Sequence, residues 1–254
     1  MFYSSFDGLL WLLASLFTLA LLQRILHREI QAFFLILTRR PGVAQILFSL
    51  IFFPGVFLHE MSHFLMAKML RVKTGRISLI PQALPDGHLR LGFVETASGG
   101  FLRDALIGFA PLVTGSLLVA FVAINRMQLL PLLELARAAD WTQFNTGLGS
   151  VLGLPGFWLW FYLTFTVCSM MMPSAADRQA WFPVFLLGIG FVGLAVLAGA
   201  GGWMLEKLAP PVNEFLGALA LIFGLSSSIH ILLVIPFFLL HKLLSRLTGV
   251  DVGK

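Results

Sequence analysis

Three long stretches of this chain contain no Asp, Glu, Lys or Arg, and they restrict the fold more than any other feature of the sequence. They cover residues 105–124, 179–205 and 215–240, so each is at least 20 residues long. A helix needs about 20 predominantly apolar residues to cross the hydrocarbon core of a bilayer. Charged residues make up only 11% of the whole chain, whereas an ordinary soluble domain has about a quarter. A water-soluble globule is therefore excluded, and we interpret the stretches as membrane spans.

Hydropathy along the whole chain predicts a single membrane-embedded domain, residues 1–254, of the all-α polytopic class. Six helical spans are expected, at residues 8–26, 43–69, 104–124, 156–173, 180–205 and 215–241. The first is interpreted as a retained span, because neither a basic segment nor an Ala-x-Ala cleavage site accompanies it. An apolar patch between basic ends at residues 27–40 is too short to span and predicts an interfacial segment. An amphipathic stretch at residues 129–141 predicts a surface helix.

The charged residues and the cysteine content restrict the partners. Lys and Arg number 17 against 12 Asp and Glu, but the basic residues are scattered at the ends of the predicted spans. This distribution favours contact with the anionic headgroups of the lipid bilayer. No nucleic-acid binding is expected, because that needs basic residues gathered on one surface. The single cysteine, Cys168, excludes a disulfide framework within one chain, and we expect it to be a small buried apolar residue.

The connection between the second and third spans, residues 71–100, has the pattern of strands. Apolar residues occupy alternate positions in two runs, which contain Ile77 and Leu79 in the first and Leu89, Leu91 and Phe93 in the second. A period of two indicates β-strands. Between the runs, two prolines and an Asp-Gly pair at residues 81–87 are typical of a turn. We predict a membrane-associated β-hairpin, with an ordinary connector between two spans as the alternative.

An ionisable cluster lies inside the second span, where His59, Glu60 and His63 form an H-E-x-x-H sequence. Residues four apart in a helix are rotated by about 40°, so both imidazoles leave one helix face and are able to ligate the same ion. Glu60 is rotated by about 100° from His59, which lets it reach a water at that ion. This arrangement predicts a zinc hydrolase. In the alternative interpretation, the motif lies beyond the hydrocarbon edge and the histidines face headgroups.

A catalytic zinc generally has a third protein ligand and leaves the fourth position for water. Asp177 is one candidate, although Ser174-x-x-Asp177 after Pro173 is also typical of a helix cap. The two roles are compatible, because a helix start holds a carboxylate in a fixed direction. The other candidates, each more often an interfacial or hydrogen-bonded residue than a ligand, are His27, Asp86, His88, Asp104, His230 and His241.

In the order of its motifs, most of the chain resembles the site-2 proteases, which are intramembrane zinc metalloproteases. The shared features are H-E-x-x-H in an early span, an extended hairpin, a small-residue Ala110-Pro111-Leu112 element in the next span, and a later proline followed by an aspartate. The family's Asn-x-x-Pro-x-x-x-Leu-Asp-Gly motif corresponds to residues 170–179. There Met170 replaces the asparagine, the glycine is absent, and Asp177 follows Pro173 by four residues instead of five.

The resemblance implies that Asp177 is the third ligand of a Zn²⁺ ion beside His59 and His63, with a cap alone as the alternative. It also implies an intramembrane endopeptidase that cuts a transmembrane protein substrate in or near its membrane segment, with Glu60 as the general base. We hypothesise that the substrate adds as a strand to the hairpin, where the candidate binding residues are Ile77, Leu79, Leu91 and Phe93.

The expected location is a multi-pass position in the plasma membrane of a prokaryote. Two other classes of function stay open from the sequence. One is a metal transporter or a metal-binding membrane protein without proteolytic activity. The other is a catalytically inactive scaffold that binds membrane proteins and holds no zinc.

Overall fold

A computed structural model describes residues 7–83 and 89–250 of the chain. This part is mainly helical, and its helices are α1 Asp7–Thr38, α2 Pro41–Met69, α3 Phe101–Asn125, α4 Leu129–Arg137, α5 Trp141–Leu152, α6 Phe157–Met170, α7 Trp181–Ala195, α8 Gly201–Trp203 and α9 Ala209–Thr248. Between α2 and α3 lie the short strands β1 Thr74–Ser78, β2 Gln82–Ala83, β3 Leu89–Arg90 and β4 Phe93–Thr96.

By length and composition, four helical segments of the described residues are apolar enough to cross a membrane. They are Asp7–Thr38, Pro41–Met69, Phe101–Asn125 and Trp181–Thr248. Helices α5 and α6 are long and apolar enough to cross a membrane only if they are taken together, and the chain bends by 94° between them. With 14 residues, α6 alone is about 21 Å long and falls short of a hydrocarbon core of about 30 Å. The segment predicted as the fourth span, 156–173, is therefore a shorter helix than expected.

The first helix is longer than predicted. α1 continues without a break to Thr38, so the prediction that residues 27–40 form a segment separate from the first helix is wrong, while their location at the membrane interface stays a prediction. The physical reason is that residues 9–38 contain no Gly or Pro that would end the helix. Glu29 is buried, and its Oε2 accepts a hydrogen bond from Nδ1 of His241 in α9 at 2.6 Å. The polar Glu29 thus faces the neighbouring helix α9.

The main core joins α1, α2, α6 and α9. Its buried side chains include Leu26 of α1, Phe52 of α2, Phe165 of α6 and Phe223 of α9. Cys168 lies in the same cluster and is fully buried, as predicted. Since lipid tails are as apolar as leucine, helices in a membrane associate through close packing at small residues. Gly55 provides such a contact, because a Cβ at this position would collide with the carbonyl of Thr166.

The segment between α7 and α9 is irregular. Two π-helical turns, Val196–Ala200 and Met204–Leu208, flank the short helix α8. Within the first turn, Gly199 has φ of 88°, a left-handed conformation that glycine adopts without steric cost. This break lies within the predicted span 180–205.

Helices α4 and α5 follow α3. The predicted surface helix at residues 129–141 corresponds to α4, which ends at Arg137. Our sequence reasoning missed the separate helix α5, which begins after Asp140 caps the backbone N–H of Gln143 at 3.0 Å.

The strands form two antiparallel pairs, β1 with β4 and β2 with β3. In the first pair, Ile77 lies opposite Val94 and Ser78 opposite Phe93. Leu79 and Leu91 lie just outside the strands, so the strands are shorter than the alternating pattern predicts. Within the predicted turn at residues 81–87, Gln82–Ala83 form β2 instead, and the rest of the turn, together with Asp86 and His88, falls in residues 84–88, outside the described part of the chain.

Candidate metal centre

His59, His63 and Asp177 lie together although they are far apart in the sequence. α2 supplies the two histidines one turn apart, and Asp177 comes from the segment between α6 and α7. The Nε2 atoms of His59 and His63 are 3.1 Å apart. Asp177 places Oδ1 3.2 Å from Nε2 of His63 and Oδ2 3.6 Å from Nε2 of His59.

These separations bring potential ligand atoms of the three residues within 4.8 Å of one another. Zinc binds imidazole nitrogen and carboxylate oxygen at about 2.0–2.1 Å, so two ligand atoms of a tetrahedral site are about 3.3–3.4 Å apart. The 3.1 Å between the two Nε2 atoms and the 3.2 Å from Oδ1 to His63 are close to this value, whereas the 3.6 Å to His59 is measured from the other carboxylate oxygen, Oδ2. The donor set of two imidazoles and one carboxylate also has the composition of known catalytic zinc sites, which leave the fourth position open.

Hydrogen bonds to the backbone fix the orientation of both imidazoles. Nδ1 of His59 donates to the carbonyl of Met170 at 2.6 Å, and Nδ1 of His63 donates to the carbonyl of Ile107 at 2.8 Å. A carbonyl only accepts, so Nδ1 carries the hydrogen in both rings, and each neutral ring presents its Nε2 lone pair to the other. Two lone pairs at 3.1 Å repel each other unless a cation or a proton lies between them. The arrangement therefore suits a bound cation.

The sequence explains why these two carbonyls are available. In a helix, the carbonyl of Ile107 would accept from the N–H of residue 111, but Pro111 has no N–H. Met170 ends α6, and the last four carbonyls of a helix have no intrahelical donor. Our sequence reasoning noted Pro111 as part of a small-residue element and missed that it frees an acceptor for His63.

Asp177 is held by a reciprocal pair of hydrogen bonds with Ser174. The backbone N–H of Ser174 donates to Oδ2 of Asp177 at 2.7 Å, and the N–H of Asp177 donates to the Ser174 hydroxyl at 3.3 Å, which is the pattern of a capping box. Burial alone would raise the pKa of Asp177, but the neighbouring imidazoles of His59 and His63 and the hydrogen bond with Ser174 hold this pKa well below its ordinary range. The side chain is thus an ionised carboxylate at neutral pH, which metal binding requires.

Two glycines that sequence reasoning missed allow close approach at this site. Gly108 of α3 lies against the carbonyl of Asp177, where a Cβ would collide with it. A Cβ on Gly92 would lie 2.9 Å from Cγ of Glu60 and 3.1 Å from Cγ1 of Val56. Neither glycine has a signal in the sequence alone, because each contact joins distant parts of the chain.

Glu60 is buried and lines the same cavity as His59 and His63. The volume of this cavity is about 1340 Å³. Of the predicted substrate-binding residues, Leu91 and Phe93 line it as well. Among the described residues, Ile77 and Leu79 lie outside the lining: Ile77 is 42% exposed, and Leu79 packs against the main core. The structure therefore brings only the second run of the predicted hairpin to the metal centre.

The other candidate ligands that the structure describes have different partners. These are the N–H of Gly99 for Asp104, the hydroxyl of Ser169 for His230, the carboxylate of Glu29 for His241, and the rings of Phe48 and Phe52 for His27. Within the described residues, His59, His63 and Asp177 form the group of side chains able to hold a metal ion.

Comparisons with protein families, with curated proteins and with solved structures find no match for this chain. The resemblance to the site-2 proteases therefore rests on the motifs of the sequence.

Proposed function

We propose that this chain is an intramembrane zinc endopeptidase, a divergent member of the site-2 proteases. Its substrate would be a transmembrane protein, cut in or near the membrane segment. The observation that carries the proposal is that His59, His63 and Asp177 bring potential ligand atoms within 4.8 Å of one another, beside a buried glutamate on the same cavity. The proposal includes six spans, with α7 and α9 as separate spans, in the bilayer of a prokaryotic plasma membrane.

The length of residues 181–248 supports the separation of α7 from α9, because a straight helix through all of them would be too long for a single span. These 68 residues would extend about 100 Å, over three times the hydrocarbon thickness of about 30 Å. The irregular backbone at Gly199 is a place where the chain is able to change direction. We therefore assign the two halves to different spans.

His59, His63 and Asp177 would hold the metal. Zinc bound by them would supply Lewis acidity, which activates a water molecule and polarises the scissile carbonyl. The three residues contribute one negative charge in total, so the centre keeps a net positive charge of one. This residual charge favours a negatively charged oxygen in the transition state.

Glu60 has the role of general base and then general acid. Its carboxylate takes a proton from the attacking water, the water oxygen bonds to the carbonyl carbon, and the carbon–nitrogen bond breaks as Glu60 returns the proton to the leaving amine. Its burial keeps this exchange apart from bulk water. The products are a new carboxyl terminus and a new amino terminus.

A substrate helix hides its carbonyls in hydrogen bonds and has to be unwound before hydrolysis. β1 and β4 form a two-stranded sheet in the described residues, so each has one edge available to an added strand. We propose that an extended segment pairs there, with Leu91 and Phe93 against its side chains. Gly92 supports this, because it brings the strand region to Glu60.

The test compares Glu60→Gln with wild type in lipid vesicles that contain single-span membrane proteins. We expect one zinc per chain in both proteins, and cleavage lower by about 10²–10⁴-fold in the variant, which is the usual contribution of a general base. Glu134→Gln changes an exposed glutamate of α4 and is the matched control, which should keep zinc and cleavage. New termini are detected by mass spectrometry.

Zinc analysis of His59→Ala completes the design, because loss of zinc in this variant assigns the metal to the centre. A transporter would instead show zinc flux into vesicles and no cleavage in wild type. Wild-type protein without zinc would indicate the inactive scaffold. Cleavage by Glu60→Gln at the wild-type rate would contradict the proposed mechanism.

A further inference from the structure

The cavity of the metal centre continues along the two helices that precede the H-E-x-x-H motif. We define the α1–α2 groove by the residues that line this extension, which are Gln23, His27, Gln31 and Leu35 of α1 and Pro41, Ala44, Gln45, Phe48 and Val56 of α2. The α1 residues recur every fourth position and so lie along one helix face. From Pro41 to Val56, its last residue in the groove, α2 extends about 22 Å, and it continues from there to His59 and His63 of the metal centre.

Neutral hydrogen-bonding groups recur along this groove. Gln23, Gln31 and Gln45, which we term the amide stripe, each carry both a donor and an acceptor. No Asp, Glu, Lys or Arg is among the groove residues defined above. Apolar residues such as Phe48 lie between the amides. Polar side chains in a predominantly apolar span are costly unless they have a partner, so the stripe indicates a ligand that hydrogen-bonds without charge.

One hydrogen bond connects the groove to the metal centre, and one buried atom on its wall has no hydrogen-bond partner among the described residues. Nε2 of Gln23 donates to the carbonyl of Ser169 at 2.5 Å, next to Met170, whose carbonyl orients His59. His27, on the same wall, has a buried Nε2 atom with no hydrogen-bond partner among the described residues. One end of the groove is therefore part of the support of the metal centre, and its wall retains hydrogen-bonding capacity.

We propose that the α1–α2 groove holds the transmembrane segment of the substrate and that the amide stripe hydrogen-bonds to backbone groups exposed where this segment is unwound. This inference rests on the proposed function and names the place and the chemistry of substrate binding. A peptide has apolar side chains and a neutral polar backbone, which match the mixed lining of the groove. A charged ligand would find no opposite charge along it.

The size of the cavity argues against a simple water inlet. At about 30 Å³ for each molecule, a cavity of about 1340 Å³ has the volume of some 45 waters. A single file of water through a membrane needs far less space.

Photo-crosslinking in the Glu60→Gln protein tests where the segment binds, independently of cleavage. A photoreactive residue replaces Gln31 or Gln45, and the probe is a synthetic 24-residue Leu/Ala transmembrane peptide with a central Asn-Pro step in lipid vesicles, where about 20 residues suffice to span. The matched controls carry the same residue at Leu37 of α1 and Leu50 of α2, which are 55% and 62% exposed. We expect crosslinks at positions 31 and 45 and background at the controls.

A kinetic readout uses Gln31→Leu with Gln45→Leu in the otherwise wild-type chain. Loss of two neutral hydrogen bonds should raise KM for the peptide by about tenfold, with zinc content unchanged and kcat affected less. Gln31→Asn with Gln45→Asn keeps the amides and should recover part of the loss in KM, which separates hydrogen bonding from damage to the fold.

Three outcomes would overturn the inference. These are equal crosslinking at the controls, an unchanged KM in the leucine variant, or labelling of Gln31→Cys by a water-soluble maleimide without any peptide crosslink, which would make the groove a water inlet. Cleavage without crosslinks would remove this inference and leave the protease. Crosslinks without cleavage would keep the binding groove and contradict the proposed function.

Discussion

Gly108→Ala tests whether the backbone contact between α3 and Asp177 holds the carboxylate beside the two imidazoles. A Cβ at residue 108 would collide with the Asp177 carbonyl oxygen and lie 2.9 Å from its carbonyl carbon, whereas ordinary contacts begin at 3.4 Å. Asp177 must therefore move by about 0.5 Å or more, the difference of these two distances. Metal–ligand distances tolerate only about 0.2 Å. We expect zinc affinity to fall about 10-fold to 100-fold, as for loss of a supporting contact, which equals about 1.4–2.7 kcal/mol.

The assay is competition for zinc between a chelator and purified protein in detergent. Gly224→Ala of α9 is the matched control, because a Cβ there meets nothing within 4 Å. This control should keep wild-type zinc affinity, since alanine is tolerated better than glycine inside a helix. Circular dichroism reports whether each variant is folded. A folded Gly108→Ala protein with wild-type zinc affinity would refute the reasoning that this contact positions Asp177.

The other predictions concern the base, the pH dependence and the helix packing. Gly92→Ala should lower kcat by about 10-fold to 100-fold by displacing Glu60, while metal analysis shows unchanged zinc; normal kcat would contradict this. Zinc retained after dialysis should fall as the pH is lowered from about 8 to about 5, because protons compete with zinc for the Nε2 atoms of the two imidazoles. Asp177 stays ionised over this range, since its pKa is held below the ordinary value, so a loss confined to lower pH would contradict the imidazole ligands. Glu29→Leu should destabilise the fold by about 1–3 kcal/mol, because it leaves Nδ1 of His241 buried without its hydrogen-bond partner, and Glu29→Leu with His241→Leu should cost less. Thermal unfolding compares the two variants, and equal losses would contradict a buried pair that stabilises the fold.

The sequence predicts α2 and α3 well and α1 less well, for an identifiable reason. The span predicted at 43–69 is α2 Pro41–Met69, and the span predicted at 104–124 is α3 Phe101–Asn125. Apolar residues end sharply at both ends of these helices, so hydropathy locates them. In α1 the apolar pattern weakens after residue 26, although the helix continues to Thr38. Hydropathy assigns polar residues to the outside of a span, whereas the polar Glu29 is buried against α9.

Helical periodicity alone places His59 and His63 on one face, and the structure brings their Nε2 atoms together. The prediction that Asp177 lies close to these histidines comes from the resemblance to a family. No period in the sequence predicts it, since 114 residues separate Asp177 from His63. The roles of Gly92 and Gly108 depend on tertiary approach, which a single sequence does not reveal. Pro111 is intermediate, because its missing N–H is readable from the sequence while the histidine that uses the freed carbonyl is not.

The departure of residues 170–179 from the family motif is balanced by contacts that hold Asp177 in another way. The missing asparagine and glycine would otherwise leave an aspartate on an irregular segment without fixed orientation. Here the Ser174 N–H binds Oδ2 at 2.7 Å, while Oδ1 remains 3.2 Å from His63. Oδ2 therefore restrains the local turn and also lies 3.6 Å from His59, while Oδ1 faces His63, so the cap is compatible with the proposed role of Asp177 as a ligand. A cap alone would not require Asp177 to approach both imidazoles, nor Gly108 to admit its carbonyl.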